Sequence, residues 1–523
     1  MATQLKPEIL LSTLNSRYPH CSFGLRYLYA QLAENQAKTA ILEFTINQDI
    51  NRIAETILEI NPTILGLGIY IWNARESLEL VRLIKQLAPE ICICLGGPEV
   101  SHEYNNQEIV QLADFLFVGE ADEAFSRFVK EFQFNTKTRP NCSKIIHSPL
   151  PELKKLKLPY EYYTDEDLAH RILYVEASRG CPFKCEYCLS SLDEKVREFP
   201  LFSFLAELKK LTDRGARTFK FVDRTFNLKM STCIAILDFF EPFAQSLSQP
   251  ISLHFEMIPD RLPEEVKTRI LKFPRGSIQF EVGIQTWNPE VADRVQRKQS
   301  YDKIIDNMRY LTTQTGVHIH ADIIAGLPGE DLASFKKGFN AIAQLNTHEI
   351  QVGILKRLRG TPISSHTKEF QMIYQTEAPY RVLQTSLLSF SEIQKIDRFS
   401  RYWDRIANSG KFKTLMGLLR EKSADLFSTF WSLTEFLDAR HETAHSISLE
   451  SLLESLYFFS QNIGIADEDN LRWIQEDYCA GPPKHDLPRF LKRHNTSLKE
   501  GDSESDNKRQ RQRLSRQNKH HQT

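Results

Sequence analysis

The sequence predicts an α/β protein with three parts: an N-terminal doubly wound parallel sheet, a central partial (β/α)6 barrel and a helical C-terminal region. Three observations support this prediction. Apolar runs alternate with helical stretches over residues 1–135, a second alternation with six strand-like runs fills residues 171–374, and strand signals fade from about residue 375. A chain of 523 residues is long enough for two or three domains, each with its own core.

The first domain, residues 1–135, contains five apolar runs that are typical of strands: EILLST, TAILEF, TILGLGIY, ICICLGG and DFLFVG. Helices are expected over residues 22–34, 50–60, 75–87 and 121–132. The strand-like runs are apolar throughout, as in parallel strands that are covered by helices on both faces. A ligand of this domain is therefore expected at the carboxyl ends of the strands.

Residues 136–170 are rich in lysine, proline and short polar runs, and we interpret them as a linker. Six further strand-like runs follow over residues 171–374: ILYVEA, TFKFVD, ISLHFEM, SIQFEVGI, HIHADIIAG and EIQVGIL. Eight β/α units normally take about 250 residues, so six units predict an incomplete barrel with its chemistry at the strand ends.

The region 375–494 carries apolar residues at helical spacing, as in KFKTLMGLLREKSADLFSTFWSLTEFLDARH, and is predicted to be all-helical. The last stretch, residues 495–523, has almost no large apolar side chains and ends in a basic run. We predict a disordered basic tail there.

The composition argues against several classes of partner. The chain has 66 basic and 67 acidic residues and a formal net charge of -1, so its global charge favours neither a nucleic acid nor a membrane. The longest apolar run, TILGLGIYIW, is shorter than the roughly 18 residues of a membrane helix, and no signal-peptide pattern follows Met1. Nine cysteines are too sparse for a disulfide framework. We therefore expect a cytoplasmic protein with reduced thiols.

Three of these cysteines, Cys181, Cys185 and Cys188, lie together in the segment SRGCPFKCEYCLSS. Thiolates are ligands for zinc or for iron-sulfur clusters. A structural zinc site normally takes four protein ligands, whereas three thiolates would leave one iron of a 4Fe-4S cluster open to an exogenous ligand. The segment follows the first strand of the barrel, where barrel active sites are built. It predicts a chemically active cluster, with structural zinc as the alternative.

The spacing C-x3-C-x-aromatic-C, with Tyr187 as the aromatic residue, resembles the signature of the radical S-adenosylmethionine (SAM) superfamily. The resemblance implies that the three cysteines bind a 4Fe-4S cluster whose fourth iron is chelated by the amino and carboxylate groups of SAM. One electron would then release methionine and a 5'-deoxyadenosyl radical that abstracts hydrogen from a substrate. Phe183 and Tyr187 would contact SAM, with Tyr187 along the adenine. A donor such as flavodoxin or ferredoxin would supply the electron.

The same resemblance implies further SAM contacts at the strand ends. HIHADIIAGLPGED is similar to the fifth-strand adenine motif, and FEVGIQTWN is similar to the fourth-strand motif that contacts the ribose and carboxylate. The implied contacts are Glu281, Gln285, Thr286, Gly326, Pro328 and Gly329. Glu256 either faces the same pocket or is a buried acid paired with an arginine. Where many members carry Gly-Gly-Glu, this chain has FVDRTFN, so Asp223 either replaces that glutamate or forms an ion pair with Arg224.

His318, His320 and Asp322 alternate along one predicted strand and so share a face. At about 3.3 Å per residue, the first and last of them lie roughly 13 Å apart, too far for ligands of one ion. We expect them to line the barrel or its mouth, with Asp322 among the SAM contacts.

The N-terminal domain resembles the cobalamin-binding domains that precede such barrels. TLNSRYPHCSFGLRYL, YIWN, LGGPEVS and FVGEADEAF match the pattern, and small residues there could admit a planar macrocycle. The implied contacts are Thr13, Asn15, His20, Tyr70, Trp72, Asn73, Gly96, Gly97 and Glu120. The motif D-x-H-x-x-G, which supplies a lower axial imidazole, is absent. His20 is either a replacement or a plain loop histidine, and the domain either binds cobalt without a protein histidine or has lost cobalamin.

The chain up to about residue 490 resembles a subfamily with this domain order. The resemblance implies an enzyme that cleaves SAM reductively, depends on cobalamin, and methylates or rearranges a small-molecule substrate. The alternative is an iron-sulfur and corrinoid-binding redox or cofactor-sensing regulator without SAM turnover. A methylthiotransferase acting on tRNA would need a second cluster or an RNA-binding module, and the sequence predicts neither.

Overall fold

The first sheet is built from strands at the N-terminal end of the chain. The computed structural model describes residues 6–246, 251–441, 447–481 and 484–494. The strands of the sheet are β1 Ile9–Asn15, β2 Thr39–Thr45, β3 Ile64–Gly68, β4 Cys92–Gly96, β5 Phe115–Val118 and β6 Ile145–His147. They are parallel in the order β2-β1-β3-β4-β5-β6, so the predicted doubly wound sheet is confirmed.

Helices cover both faces of this sheet: α1 Phe23–Ala30, α2 Ile50–Ile60, α3 Ala74–Leu87, α4 Glu108–Leu112 and α5 Asp122–Glu131. Successive strand residues point to opposite faces, so Leu10 packs in the core with α2, α3 and α4, whereas Leu11 packs in the core with α1 and α5. Every residue of β1 is buried. Burial on both faces explains why the strand sequences are apolar without alternation.

The structure differs from the sequence prediction in two stretches of this part. The helix expected over residues 22–34 ends at Ala30 and is followed by a 3-10 turn, Ala33–Lys38, which begins at a residue with a φ of 47°. The stretch 136–170, interpreted as a linker, contains the edge strand β6 and helix α6, Asp165–His170. A strand of three residues is too short to produce a readable period.

The second sheet forms the barrel. Its strands are β7 Leu173–Val175, β10 Thr218–Phe221, β11 Ser252–Met257, β12 Ile278–Gln285, β13 His318–Ala325 and β14 Glu349–Ile354, with β8 Ser178–Arg179 and β9 Arg197–Glu198 as a separate antiparallel pair. The six barrel strands are parallel in the order β14-β13-β12-β11-β10-β7, which confirms the predicted partial barrel. Its helices are α7 Leu201–Asp213, α8 Met230–Ser246, α9 Glu264–Ile270, α10 Pro289–Arg294, α11 Tyr301–Gln314 and α12 Leu332–Gln344.

Burial alternates along the central barrel strands. On β12, Phe280 and Val282 are fully buried, whereas the intervening Glu281 is partly exposed. On the neighbouring strand, His320 and Asp322 occupy the partly exposed positions. Within the described ranges, no three His, Cys, Asp or Glu side chains are grouped to hold one metal ion. The strand histidines instead contact polar side chains of the next strand, His318 Nε2 lying 2.7 Å from Glu349 Oε1 and His320 Nε2 lying 2.8 Å from Gln351 Oε1.

The chain divides into two units, residues 1–400 and 401–523. The first includes a short antiparallel pair after the barrel, β15 Ile373–Tyr374 and β16 Val382–Gln384, and most of α13, Phe390–Trp403. The further helices are α14 Lys413–Lys422, α15 Leu426–Arg440, α16 Leu449–Asn462, α17 Asp467–Trp473 and α18 Arg489–His494. The predicted helical character of this region is thus confirmed where it is described. The tail predicted to be disordered, residues 495–523, lies outside the described residues.

None of the described helices is both long enough and apolar enough to cross a membrane.

A buried ion network fastens the N-terminal sheet to α6. Arg26 on α1 donates from Nη1 to Glu43 Oε1 at 2.7 Å and from Nη2 to Asp167 Oδ2 at 2.7 Å. Arg171 adds contacts of 3.2 Å to Glu43 and 3.3 Å to Asp167. Two cations therefore compensate two carboxylates away from water, so the loss of one member leaves a buried charge without its partner.

We expect Arg26→Met to lower the apparent free energy of unfolding by about 3–5 kcal/mol, because its side chain is only 4% exposed and both carboxylates lose a partner. Chemical denaturation followed by circular dichroism measures the change. The control is Arg82→Gln, which breaks a half-exposed pair with Glu108 and should lower the free energy of unfolding far less. Equal small losses in both variants would contradict the role of the buried network.

Candidate active site

The three clustered cysteines lie on the loop between β8 and β9, beyond the carboxyl end of β7. Pairing of Ser178 with Glu198 and of Arg179 with Arg197 closes the base of this loop. Gly180 has a φ of 92°, and a Cβ there would lie 2.4 Å from the carbonyl oxygen of Lys195, so the close approach requires glycine. The loop is thus fixed just before the first thiol.

Cys181 and Cys185 are buried and Cys188 is half-buried, and all three line a cavity of about 320 Å³. Burial raises the pKa of the Cys181 thiol. The three thiols do not converge on a single ion, as a zinc site would require. A 4Fe-4S cluster spreads its cysteine ligands over different irons, so the donor set fits such a cluster.

Arg297 supplies a buried positive charge beside this loop. Its Nη1 lies 3.6 Å from the Cys185 sulfur and 3.4 Å from the Tyr187 hydroxyl, and its Nη2 donates to the Gly283 carbonyl oxygen. The guanidinium thus places a positive charge directly beside one of the three thiols. The sequence analysis missed Arg297, since nothing in the spacing around it marks a ligand site.

Glu186, between two of the thiols, anchors the loop on its other side. Its backbone N–H donates to the Val295 carbonyl oxygen at 3.1 Å, and its carboxylate accepts from Gln296 Nε2 at 2.6 Å. The other carboxylate oxygen lies 2.5 Å from His366 Nε2. The segments after α10 and after β14 therefore hold the loop together. Sequence reasoning also missed Glu186 and His366.

The cavity beside the thiols contains several of the residues implied as SAM contacts: Phe183, Tyr187, Glu256, Glu281, Gln285 and Asp322. Gln285 lies at a β-bulge and has a φ of 71°, a strained conformation for a residue other than glycine. Burial raises the pKa of Glu256 to about 7.

Asp322 offers the cavity an unused acceptor. Its Oδ1 is buried and lies 3.3 Å from His320 Nε2, but that ring nitrogen is hydrogen-bonded to Gln351 Oε1 at 2.8 Å. The carboxylate oxygen therefore has no hydrogen-bond partner among the described residues. A buried acceptor without a donor is costly unless a ligand supplies one, so this site fits a ligand with hydroxyl or amino groups, as SAM has.

Five other residues implied as SAM contacts do not line this cavity: Asp223, Thr286, Gly326, Pro328 and Gly329. Thr286 donates to Glu330 Oε1 at 2.7 Å, and the Pro328 carbonyl oxygen accepts from Arg294 at 3.0 Å. A Cβ on Gly326 would lie 2.5 Å from Val382 Cγ1, and one on Gly329 would lie 2.2 Å from Arg294 Nη1. The glycines here accommodate protein neighbours.

Asp223 is hydrogen-bonded to the chain that leads to the cysteine loop. Its carboxylate accepts from the Ala177 backbone N–H at 3.0 Å and from the Ser178 hydroxyl at 2.5 Å, and burial raises its pKa to about 6. It thus holds the chain leading to the cysteine loop. The expected ion pair with Arg224 is replaced by one between Arg224 and Glu256, at 3.8 Å.

A second cavity, of about 440 Å³, opens at the carboxyl ends of β3, β4 and β5. Its lining contains six glycines: Gly24, Gly66, Gly68, Gly96, Gly97 and Gly119. A Cβ added to Gly96 would meet one described atom within 4 Å, the Phe117 carbonyl oxygen at 4.0 Å, and would otherwise project into open space. This bare surface fits a large flat ligand such as a corrin.

Four residues implied as cobalamin contacts line this cavity: Tyr70, Gly96, Gly97 and Glu120. The polar atoms of three others are engaged nearby: Thr13 donates to the Gly68 carbonyl oxygen at 2.7 Å, Asn73 to the Leu14 carbonyl oxygen at 3.0 Å, and Asn15 to Glu43 at 2.6 Å. Trp72 stacks on Tyr70, with ring centroids 4.4 Å apart.

His20 also lies outside the second cavity. Its Nδ1 is 2.7 Å from the Tyr174 hydroxyl, and its backbone bridges to Ile172. Burial lowers the pKa of its imidazole. No histidine is present among the described residues that line the cavity.

Arg179 connects the two cavities structurally. It lies two positions before Cys181 and donates from Nη1 to Glu120 at 2.7 Å, on the β5–α5 connection, and to Asp122 at 3.0 Å, at the start of α5. Its Nε donates to Glu176 at 2.9 Å, and burial raises the pKa of that carboxyl to about 7. One arginine thereby ties the wall of the second cavity to the cysteine loop.

These two sites define a class of enzyme in which a metal cluster in a partial barrel works beside a second cofactor on a doubly wound sheet. Known families identify both parts. Residues 10–129 match the B12 binding domain, residues 175–341 match the radical SAM superfamily, and residues 368–522 match a family described as a protein of unknown function, DUF4080. The chain is a radical SAM enzyme with a B12-binding domain, and its cofactors are a 4Fe-4S cluster, SAM and cobalamin, as the sequence predicted.

Relatives with assigned activities are distant in sequence. The chain is 23% identical to 2-(S-pantetheinyl)-carbapenam-3-carboxylate methyltransferase of Streptantibioticus cattleyicolor, over 84% of this chain and 70% of that protein. It is 22% identical to the cobalamin-dependent radical SAM methyltransferase TokK of Streptomyces tokunonensis, over 61% of this chain but only half of TokK.

A solved structure shares the fold. The cobalamin-dependent SAM radical enzyme OxsB, with aqua-cobalamin and SAM bound, superimposes with a TM-score of 0.60. The match has 15% sequence identity and covers 93% of this chain and 83% of OxsB.

The cysteine loop yields a direct prediction about metal content. After anaerobic reconstitution with iron and sulfide, the wild-type chain should hold about four irons, and Cys181→Ala, Cys185→Ala and Cys188→Ala should each lose most of them. Iron analysis and the EPR signal after reduction measure this. The control is Cys142→Ala, which removes an exposed thiol outside the loop and should leave the iron content unchanged. Stoichiometric zinc in the wild-type protein as purified without oxygen would overturn the assignment.

Proposed function

We propose that this enzyme methylates a carbon atom of a small-molecule substrate. The observation that supports this most directly is that the cluster cavity and the glycine-lined cavity share a lining residue, Arg224. A substrate beside that residue would be within reach of both sites. The assigned activities of the two methyltransferase relatives favour methylation over rearrangement.

When bound, the cluster with SAM supplies a carbon-centred radical and the corrinoid supplies a methyl group. Each turnover would convert a substrate C–H into C–CH3, and two SAM molecules into S-adenosylhomocysteine, methionine and 5'-deoxyadenosine, with two electrons from a donor. Cys181, Cys185 and Cys188 would hold the cluster, and Gln285, Asp322 and Glu256 would contact SAM.

The protein's own electrostatics suit this chemistry. Arg297 is buried beside Cys185, so it would offset the negative charge that thiolates and added electrons bring to the site. The thiols at positions 181 and 185 are buried, which limits the access of water and oxygen to a reactive radical.

The electrons would come from a low-potential donor protein such as flavodoxin or ferredoxin, acting in the cytoplasm. The state of the thiols supports the cytoplasmic location, because all nine cysteines are free. A cluster with an open iron also requires a reducing environment.

A mass balance of SAM products tests the proposed reaction. The reconstituted enzyme, reduced in the presence of SAM, cobalamin and candidate substrates, should form S-adenosylhomocysteine and 5'-deoxyadenosine together, as quantified by chromatography. Cys185→Ala should form no 5'-deoxyadenosine, whereas Cys142→Ala should behave as wild type. Deoxyadenosine alone would exclude methylation in favour of other radical chemistry. The absence of any SAM cleavage would favour the regulator.

A pair of variants tests where the corrinoid binds and whether a histidine ligates cobalt. Gly96→Leu should lose cobalamin retention at least about tenfold, since the new side chain would occupy the glycine-lined cavity. His20→Ala should retain cobalamin, because His20 faces Tyr174 instead. The absorbance of the bound corrinoid measures retention. The EPR spectrum of the cob(II)alamin form should lack nitrogen splitting from an imidazole. The prediction is contradicted if the wild-type spectrum shows this splitting and His20→Ala loses it, because His20 is then the axial ligand.

A further inference from the structure

Arg224 follows β10 and is the one described residue that lines both cavities. Its neighbours in the first cavity include Glu256 and Thr225, and its neighbours in the second include Glu176 and Arg179. Any molecule that meets both cofactors would therefore lie beside its guanidinium group.

The residues on either side of Arg224 are fixed by hydrogen bonds and by ring packing. Asp223 is fixed by two hydrogen bonds to the segment before the cysteine loop. The Phe226 N–H donates to the Glu256 carbonyl oxygen at 2.8 Å, and its ring stacks on Phe255 with centroids 3.9 Å apart. The Asn227 side chain donates to the Ile258 carbonyl oxygen at 2.8 Å. These flanking residues are buried, whereas the Arg224 side chain is 51% exposed.

Other arginines at these cavities already use their hydrogen-bond donors. Arg179 binds three carboxylates, and Arg297 donates to a carbonyl oxygen and lies against Cys185. The charged contact of Arg224 within the described ranges is with Glu256 Oε1 at 3.8 Å, which is beyond hydrogen-bond length. Its guanidinium therefore keeps donors in a planar fork that matches a carboxylate or a phosphate.

We propose that Arg224 binds an anionic group of the substrate, a carboxylate or a phosphate, and so holds the substrate between the two cofactors. This inference rests on the proposed function and adds the chemical class of the substrate. Arg224 is a specificity-determining residue in this scheme, because a neutral analogue would leave its guanidinium without a partner.

The test uses the full-length enzyme reconstituted with its cluster, cob(II)alamin and S-adenosylhomocysteine. The probes are propionate, inorganic phosphate and the neutral propionamide. Paramagnetic cobalt broadens the NMR lines of a molecule that binds beside it. We expect saturable broadening of propionate or phosphate but not of propionamide, and binding weaker by about tenfold or more in Arg224→Gln.

Two further variants serve as comparisons. Arg224→Lys should recover part of the broadening, because it keeps the charge but not the fork. Arg75→Gln removes an arginine whose side chain is 83% exposed on α3, and should match the wild type. Equal broadening in wild type and Arg224→Gln would overturn the proposal.

SAM and cobalamin also carry anionic groups, and two arms distinguish them from a substrate. If Arg224→Gln lowers the affinity for S-adenosylhomocysteine in equilibrium dialysis by the same factor, the anion belongs to SAM and the proposal fails. If the variant loses cobalamin but keeps cobinamide, which lacks the nucleotide phosphate, the anion belongs to cobalamin and the proposal also fails. Failure of the proposed function would instead appear as absent SAM cleavage, with the propionate result unchanged.

Discussion

Three thiols can bind a cluster that leaves one iron without a protein ligand only if residues outside their loop fix its conformation, since the loop has little regular structure of its own. This constraint explains the contacts around it. Asp223 fixes the chain before the loop, Glu186 is held at its centre by Gln296 and His366, and Arg179 ties its beginning to the N-terminal domain. The thiols are therefore positioned by residues from both the N-terminal domain and the barrel.

Both sheets are parallel, and their two cavities share the lining residue Arg224. In such sheets, ligand sites form where the strands end, and here the strand ends of both sheets are connected through the Arg179 network. Arg224 is a second connection between the two sites, because its side chain borders both cavities.

The strands could be predicted because their runs are apolar, and the cysteine loop could be predicted because its spacing is local. The residues that sequence reasoning missed reach the loop from distant elements, as Arg297 and His366 do. The position of a loop also does not fix the direction of its side chains. His20 lies in the loop where a cobalt ligand was considered, but its ring contacts Tyr174 of the barrel. Polar residues near the strand ends, such as Thr13 and Asn73, satisfy exposed backbone carbonyls there, which a ligand-site pattern does not reveal.

A closed eight-stranded barrel fills its interior with packed side chains, but this partial barrel is lined by charges. Burial alone would raise the pKa of Glu281, yet the hydrogen bond from His254 and the charge of Lys220 lower it to about 2. The hydrogen bonds from His318 and His320 lower the pKa of Glu349 to about 2. These carboxylates of the barrel lining are thus compensated by neighbouring hydrogen-bond donors and, at Glu281, by the charge of Lys220. Asp322 also lines the cavity, and its Oδ1 has no hydrogen-bond partner within the described ranges, so a donor group of a bound ligand would satisfy it.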